Sequence, residues 1–186
     1  MKVLDIIASA LKLIGHNDLI PYIDDQSNSS LDDANEIIET LLYCFNAVED
    51  ELARNYIPLT YVEEMSSADM RFNYSAFKHY PVKIRRVTSD GKQIPFEVLA
   101  KYMQTKSKNI AVEYEYAPKR KIISDNSDYG GEVGEHLIAL GIASEYSVIN
   151  GEAEMADIWE KRYRDQLDRV QRSLPVCASI PPRRWV

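Results

Sequence analysis

Apolar positions recur at helical spacing at both ends of the chain and at strand spacing in the middle. Over residues 2–14, Val3, Ile6, Ile7, Ala10, Leu11 and Ile14 fall on one helical face. Gly15, followed by His16-Asn17-Asp18, stops that helix. A loop with Pro21 and a polar run over 24–30 leads to Ser30, which can cap a second helix with Asp33 three residues on. That helix is predicted over 31–55, with an apolar stripe from Ala34, Ile37 and Ile38 through Leu41, Leu42, Phe45 and Val48 to Leu52, and Pro58 ends it. In the last third, Gly130-Gly131 opens a helix over 133–149. Its centre, Leu137 to Ala143, is apolar almost all round, as in a helix covered on several sides. After Gly151 an amphipathic helix over 152–172 buries Ala156, Trp159, Tyr163, Leu167 and Val170. Its outer face carries the i,i+4 pairs Asp157–Lys161, Glu160–Arg164, Asp165–Arg169 and Asp168–Arg172.

The middle changes period. Residues 59–64 have β character, 66–79 are irregular with a helical turn, and 82–87 read as a strand. Asp90-Gly91 is a hairpin signal, and 94–99 is the return strand, with Pro95 marking an edge. Over 109–116, Ile110, Val112, Tyr114 and Tyr116 alternate with Glu113 and Glu115. Tyr61, Tyr114 and Tyr116 then line the core of this sheet. The expected fold is therefore α+β and mainly α: a four-helix bundle (1–58 and 129–173), a small antiparallel β insertion between helices two and three (59–128), and an extended C-terminal tail (174–186).

Charge changes the picture more than composition does. The net −7 of the 186 residues is unevenly spread: 1–70 hold 3 basic and 14 acidic side chains, 71–123 hold 12 and 4, and 124–186 hold 7 and 11. The segments are thus −11, +8 and −4, a sign asymmetry that concerns partners more than fold. An overall basic nucleic-acid grip is excluded. No apolar run reaches the length of a membrane span, so no membrane partner is expected. The N-terminus turns acidic too early for a signal peptide, and Cys44 and Cys177 are expected as free thiols in a reducing compartment.

Catalytic chemistry finds little foothold. Phosphate-loop and dinucleotide fingerprints are absent. Gly130-Gly131 and Gly134 could cradle an anion at a helix start, but Glu132 and Glu135 sit beside them and would repel it. His16, His79 and His136 lie in different segments without ligand-spaced partners, so no metal or cofactor is expected. Cys44 lies beside the core stripe and reads as packing. No enzymatic activity is expected. The tail is different: twelve residues ending in Arg183-Arg184-Trp185-Val186 cannot bury Trp185 against themselves, and Trp and Arg are common interface anchors.

Certain segments are familiar together. Asp5-Ile6-Ile7-Ala8-Ser9-Ala10-Leu11-Lys12-Leu13-Ile14-Gly15, the Asp32-Asp33-Ala34 helix start, and Ala143-Ser144-Glu145-Tyr146 through Asn150-Gly151 to Trp159 and Lys161-Arg162-Tyr163 occur here in that order. This order resembles the head–tail adaptor proteins of tailed bacteriophages, also called head-completion or connector proteins, and among podovirus-type phages tail tubular protein A. The resemblance covers essentially the whole chain as a pattern without a diagnostic motif. It implies a virion protein of the neck, made in the host cytoplasm. Such a protein forms a homo-oligomeric ring, usually of twelve copies, docks on the portal protein and extends the channel through which DNA passes without sequence-specific binding. It also provides the platform for the downstream tail or nozzle protein. The resemblance implies portal binding by the tail, through Pro175, Ile180, Pro181, Pro182, Arg183, Arg184, Trp185 and Val186. It implies a tail-facing or inter-subunit surface on the β insertion, with Arg85, Arg86, Lys92, Lys119 and Arg120. An acidic channel wall would let DNA slide, since basic contacts grip it. The competing reading is a helical DNA-binding or regulatory module that uses the basic insertion as a phosphate grip.

Overall fold

The computed structural model describes residues 1–23, 32–131 and 133–173. The Ser30 cap and the tail from 174 onward lie outside the described residues. Among the described residues there are four α-helices: α1 (Val3–Ile14), α2 (Asp32–Glu51), α3 (Glu135–Ile149) and α4 (Ala153–Ser173). A short 3-10 segment, Asn17–Tyr22, follows α1, and a turn of wider π-helix, Leu52–Tyr56, ends α2. Seven strands lie between α2 and α3: β1 (Leu59–Ser66), β2 (Arg71–Asn73), β3 (Pro81–Ser89), β4 (Lys92–Gln93), β5 (Phe96–Val98), β6 (Tyr102–Thr105) and β7 (Asn109–Tyr116).

A mainly helical four-helix bundle with a small inserted sheet is not what forms. Helix accounts for about 50% and strand for 24% of the structure, and the strands make two antiparallel sheets, one of four and one of three. The first has the order β1-β7-β3-β4 and the second β2-β6-β5. Four of the seven strands, β2, β4, β5 and β6, are two to four residues long. No hydrophobic period is legible over so few residues; such strands exist through their pairing. The expected return strand over 94–99 divides at Pro95, which has no N–H to give a ladder. Lys92 and Gln93 pair with β3, whereas Phe96–Val98 pair with β6 in the other sheet. The hairpin itself turns at Asp90 (φ 51°) and Gly91 (φ 74°), the double left-handed conformation of a type I′ turn.

The helices depart from a bundle too. α3 is a central helix packed against α4, α1 and α2. That position explains its all-round apolar sequence: Leu137, Ile138, Ala139, Leu140, Ile142 and Ala143 are all buried. Gly141, midway along it, lets α2 and α4 close over its backbone. A Cβ there would lie 2.8 Å from Val48 Cγ1 and 3.1 Å from Tyr163 Cε2.

The sheets have a core of their own, with Phe72, Phe77, Val87, Met103, Ile110, Val112 and Tyr114 buried between them. The returning linker after β7 is strapped to the helices by polar contacts. Asn46 of α2 accepts from the Lys121 N–H (2.7 Å) and donates to the Lys121 carbonyl (3.2 Å). Glu49 Oε1 accepts from Ser127 Oγ (2.6 Å) and the Asp128 N–H (2.9 Å), and Tyr129 Oη donates to the Ile57 carbonyl (2.7 Å). The chain's first residues join this strap, with the Val3 N–H on the Asp125 carbonyl and the Ser127 N–H on the Met1 carbonyl. Ser9 of α1 donates to Glu135 at the start of α3.

Candidate functional site

Strand β3 carries the most unusual surface. Its register against β7 slips twice, between Pro81 and Lys83 and again between Ile84 and Arg86, so Val82 and Arg85 are extra residues. Each slip is a β-bulge, which bends the strand and re-aims side chains. The result is a period of three. Pro81, Ile84 and Val87 face inward, while Val82, Lys83, Arg85 and Arg86 are all exposed. The apolar spacing Pro81, Ile84, Val87 was the sequence signal for this. Beside the first bulge, Tyr80 is 69% exposed and Val82 45%, a solvent-facing apolar pair.

The expected basic residues do not form one patch. Arg85 is held by Glu115 (2.7 Å) and Arg86 by Glu113 (2.8 Å), both cross-strand partners on β7. Lys92 sits exposed at the distal hairpin, with no ion-pair partner among the described residues. Lys119 and Arg120 are on the returning linker, where they border a hollow of about 270 Å³ against Tyr43, Asn46, Ala47 and Asp50 of α2. Over 59–116, the residues that form the sheets, the sequence holds nine basic and seven acidic side chains. The +8 block is thus partly neutralised within the sheet and partly displaced onto the helices.

The acidic block, in contrast, is concentrated. α2 has seven carboxylates and no basic residue in twenty positions. Asp50 pairs with Arg54, and Glu49 is buried. Glu36 and Glu39 have no ion-pair partner among the described residues. They rim a hollow of about 330 Å³ with Thr40, Tyr43 and Ile149. Tyr43 and Ile149 are 58% and 49% exposed, so this face is apolar at its centre, negative towards Glu36 and Glu39, and bordered by Lys119 and Arg120 beyond Tyr43. The apolar stripe read from the sequence does not include Tyr43. Of the four ion pairs spaced along α4, Glu160–Arg164 closes.

Two buried polar groups stand out, one where α2 meets the returning linker and one inside the sheet unit. Glu49 is 1% exposed, and its Oε2 has no hydrogen-bond partner among the described residues. Burial raises its carboxyl above the usual range, against the two bonds it accepts from Ser127 and Asp128. Across the sheet, Tyr114 donates to Glu63 (2.8 Å) and accepts from the His79 N–H (3.3 Å). His79 stacks on Tyr116 with ring centroids 4.2 Å apart. Burial, with Lys78 and Lys119 nearby, lowers its pKa and favours the neutral ring. The Glu49 bonds tie α2 to the returning linker, and the Tyr114–Glu63–His79 contacts hold the sheet unit together internally.

The remaining expected positions are quickly placed. His16, His79 and His136 are not gathered: among the described residues no group of three His, Cys, Asp or Glu side chains could hold a metal ion. Gly134 caps α3 without a side-chain bond, and Glu135 is engaged by Ser9. Cys44 is buried, and its thiol is pushed up to about 12 by burial and by Glu145. Among the described residues no helix is long and apolar enough to cross a membrane. Pro175, Ile180, Pro181, Pro182, Arg183, Arg184, Trp185 and Val186 lie outside the described residues. In comparison with known proteins, no family model and no curated protein matches this chain.

Proposed function

We propose that this chain is the subunit of a head–tail adaptor ring. In this role it docks on a phage portal, extends the DNA channel and carries the downstream tail protein. The observation that carries the reading is the partition of charged surface. α2 presents Glu36 and Glu39, which have no ion-pair partner among the described residues, beside exposed Tyr43 and Ile149, while Lys83, likewise unpaired among the described residues, and exposed Tyr80 and Val82 lie at a different place, the bulged start of β3. A subunit with two unlike sticky faces suits head-to-tail association, which closes into rings when the rotation per step allows. The order of elements along the chain supports the same reading. Tail residues 174–186 are assigned to the portal, with Arg184 and Trp185 as anchors.

Co-sedimentation with portal rings tests this. The full chain should sediment with the portal, and truncation after Ser173 should weaken that association without altering the helical circular-dichroism signal. A full chain that stays in the supernatant at micromolar concentrations contradicts the proposal.

A further inference from the structure

The ring reading does not say which surfaces of neighbouring copies meet, and two faces of this chain fit one another. On α2, Glu36 and Glu39 rim the hollow centred on Tyr43 and Ile149. At the start of β3, exposed Tyr80, which precedes the strand, and Val82 lie next to Lys83 in sequence. Lys83 stands opposite Glu115 in the ladder, but that carboxylate is taken by Arg85, the residue the second bulge inserts. The bulges therefore do two things at once. They push Val82 out of the sheet, and they leave Lys83 with no carboxylate partner among the described residues.

We infer that the bulged start of β3, with Tyr80, Val82 and Lys83, docks on the Glu36–Glu39–Tyr43 face of α2 in a second copy of this chain. The inference rests on the ring reading and names its inter-subunit contact. Each face has an exposed apolar centre, and Lys83 on one is opposite in charge to Glu36 and Glu39, which flank Tyr43 on its N-terminal side, whereas Lys119 and Arg120 border its C-terminal side and would repel Lys83, which favours one register. The occupant is another copy because each surface supplies what the other lacks. The two faces are different surfaces of one chain, so the contact is heterologous: each copy uses its α2 face on one side and its β3 face on the other. The like-charged alternatives, α2 on α2 or β3 on β3, are disfavoured by the same rims. Arg85 and Arg86, already neutralised across the ladder, are bystanders in this contact.

The test uses the full chain, alone and on portal rings, with three proteins: wild type, E36K/E39K and K83E. In each variant one face repels its neighbour's, so neither assembles alone. Mixed one to one, every contact joins opposite charges again and assembly returns to near the wild-type level. Zero-length carbodiimide cross-linking of mixed 14N- and 15N-labelled wild type should join Glu36 or Glu39 to Lys83 between copies. Wild-type assembly that persists in both variants, or cross-links only within one copy, overturns this contact and leaves the ring intact. A wild type that never assembles, alone or with portal, overturns the contact and the ring together.

Discussion

Replacing Gly141 by alanine probes the densest point of the helical unit. In an open helix interior this change stabilises by about 1 kcal/mol, because alanine restricts the unfolded chain and glycine does not. Here the added methyl would meet Val48 Cγ1 at 2.8 Å, Val48 Cγ2 at 3.1 Å and Tyr163 Cε2 at 3.1 Å. Val48 is buried in α2, and its branched side chain has one strongly preferred rotamer there, so it cannot swing aside. Overpacking of this kind costs about 1–3 kcal/mol, which outweighs the propensity gain. We expect G141A to be less stable by about 1–2 kcal/mol, seen in urea unfolding followed by circular dichroism as a lower midpoint at unchanged slope. The companion V48A removes both clashing methyls. Alone it should destabilise by about 2 kcal/mol through lost burial; beside G141A it should cost less, with a coupling of roughly 1 kcal/mol. If G141A is as stable as wild type or more so, α2 and α4 do not close over α3 as described.

Other consequences follow from single contacts. Glu49 has a raised pKa in the folded state, so the native chain binds its proton more tightly than the unfolded one. Its contribution to stability is fully present below the unfolded carboxylate range and is lost as pH rises through the folded pKa. Wild-type stability minus that of E49Q should therefore fall from pH 4.5 upward; a difference independent of pH contradicts the buried, half-satisfied carboxylate. Y129F leaves the buried Ile57 carbonyl without its donor and should cost about 1–3 kcal/mol in the same unfolding assay; no loss would mean the strap is unimportant. In a C177S background, Cys44 should resist thiol-modifying reagents at pH 8 until urea unfolds the chain, since its thiol is buried and its pKa is pushed up to about 12. Rapid labelling of the native protein would contradict that.

The long elements were legible because they are periodic. The stripe from Ala34 to Leu52, the all-round apolar run of α3 and the alternation from Asn109 to Tyr116 each span enough residues for a period to show. The second sheet was not legible. Arg71-Phe72-Asn73 becomes a strand by pairing with Tyr102–Gln104 across about thirty positions of chain, and Phe96–Val98 pairs with the other edge of the same strand. What looked like a single return strand hid a change of sheet at Pro95. The strand over 82–87 was legible, but its bulged face was not, for a related reason. Strand reading expects a period of two, and Pro81, Ile84 and Val87 follow a period of three that only a doubly bulged strand supports. Charge was read by segment, whereas the fold reassigns it by surface. Glu113 and Glu115 neutralise Arg86 and Arg85 across the ladder, and the Lys119–Arg120 pair moves to the side of α2.

Electron microscopy of the purified chain incubated with portal rings tests the central claim most directly. The account predicts a second ring of this chain, coaxial with the portal and enclosing an open channel, that dissociates in the K83E variant. Portal rings that remain bare beside monomeric chain would contradict it.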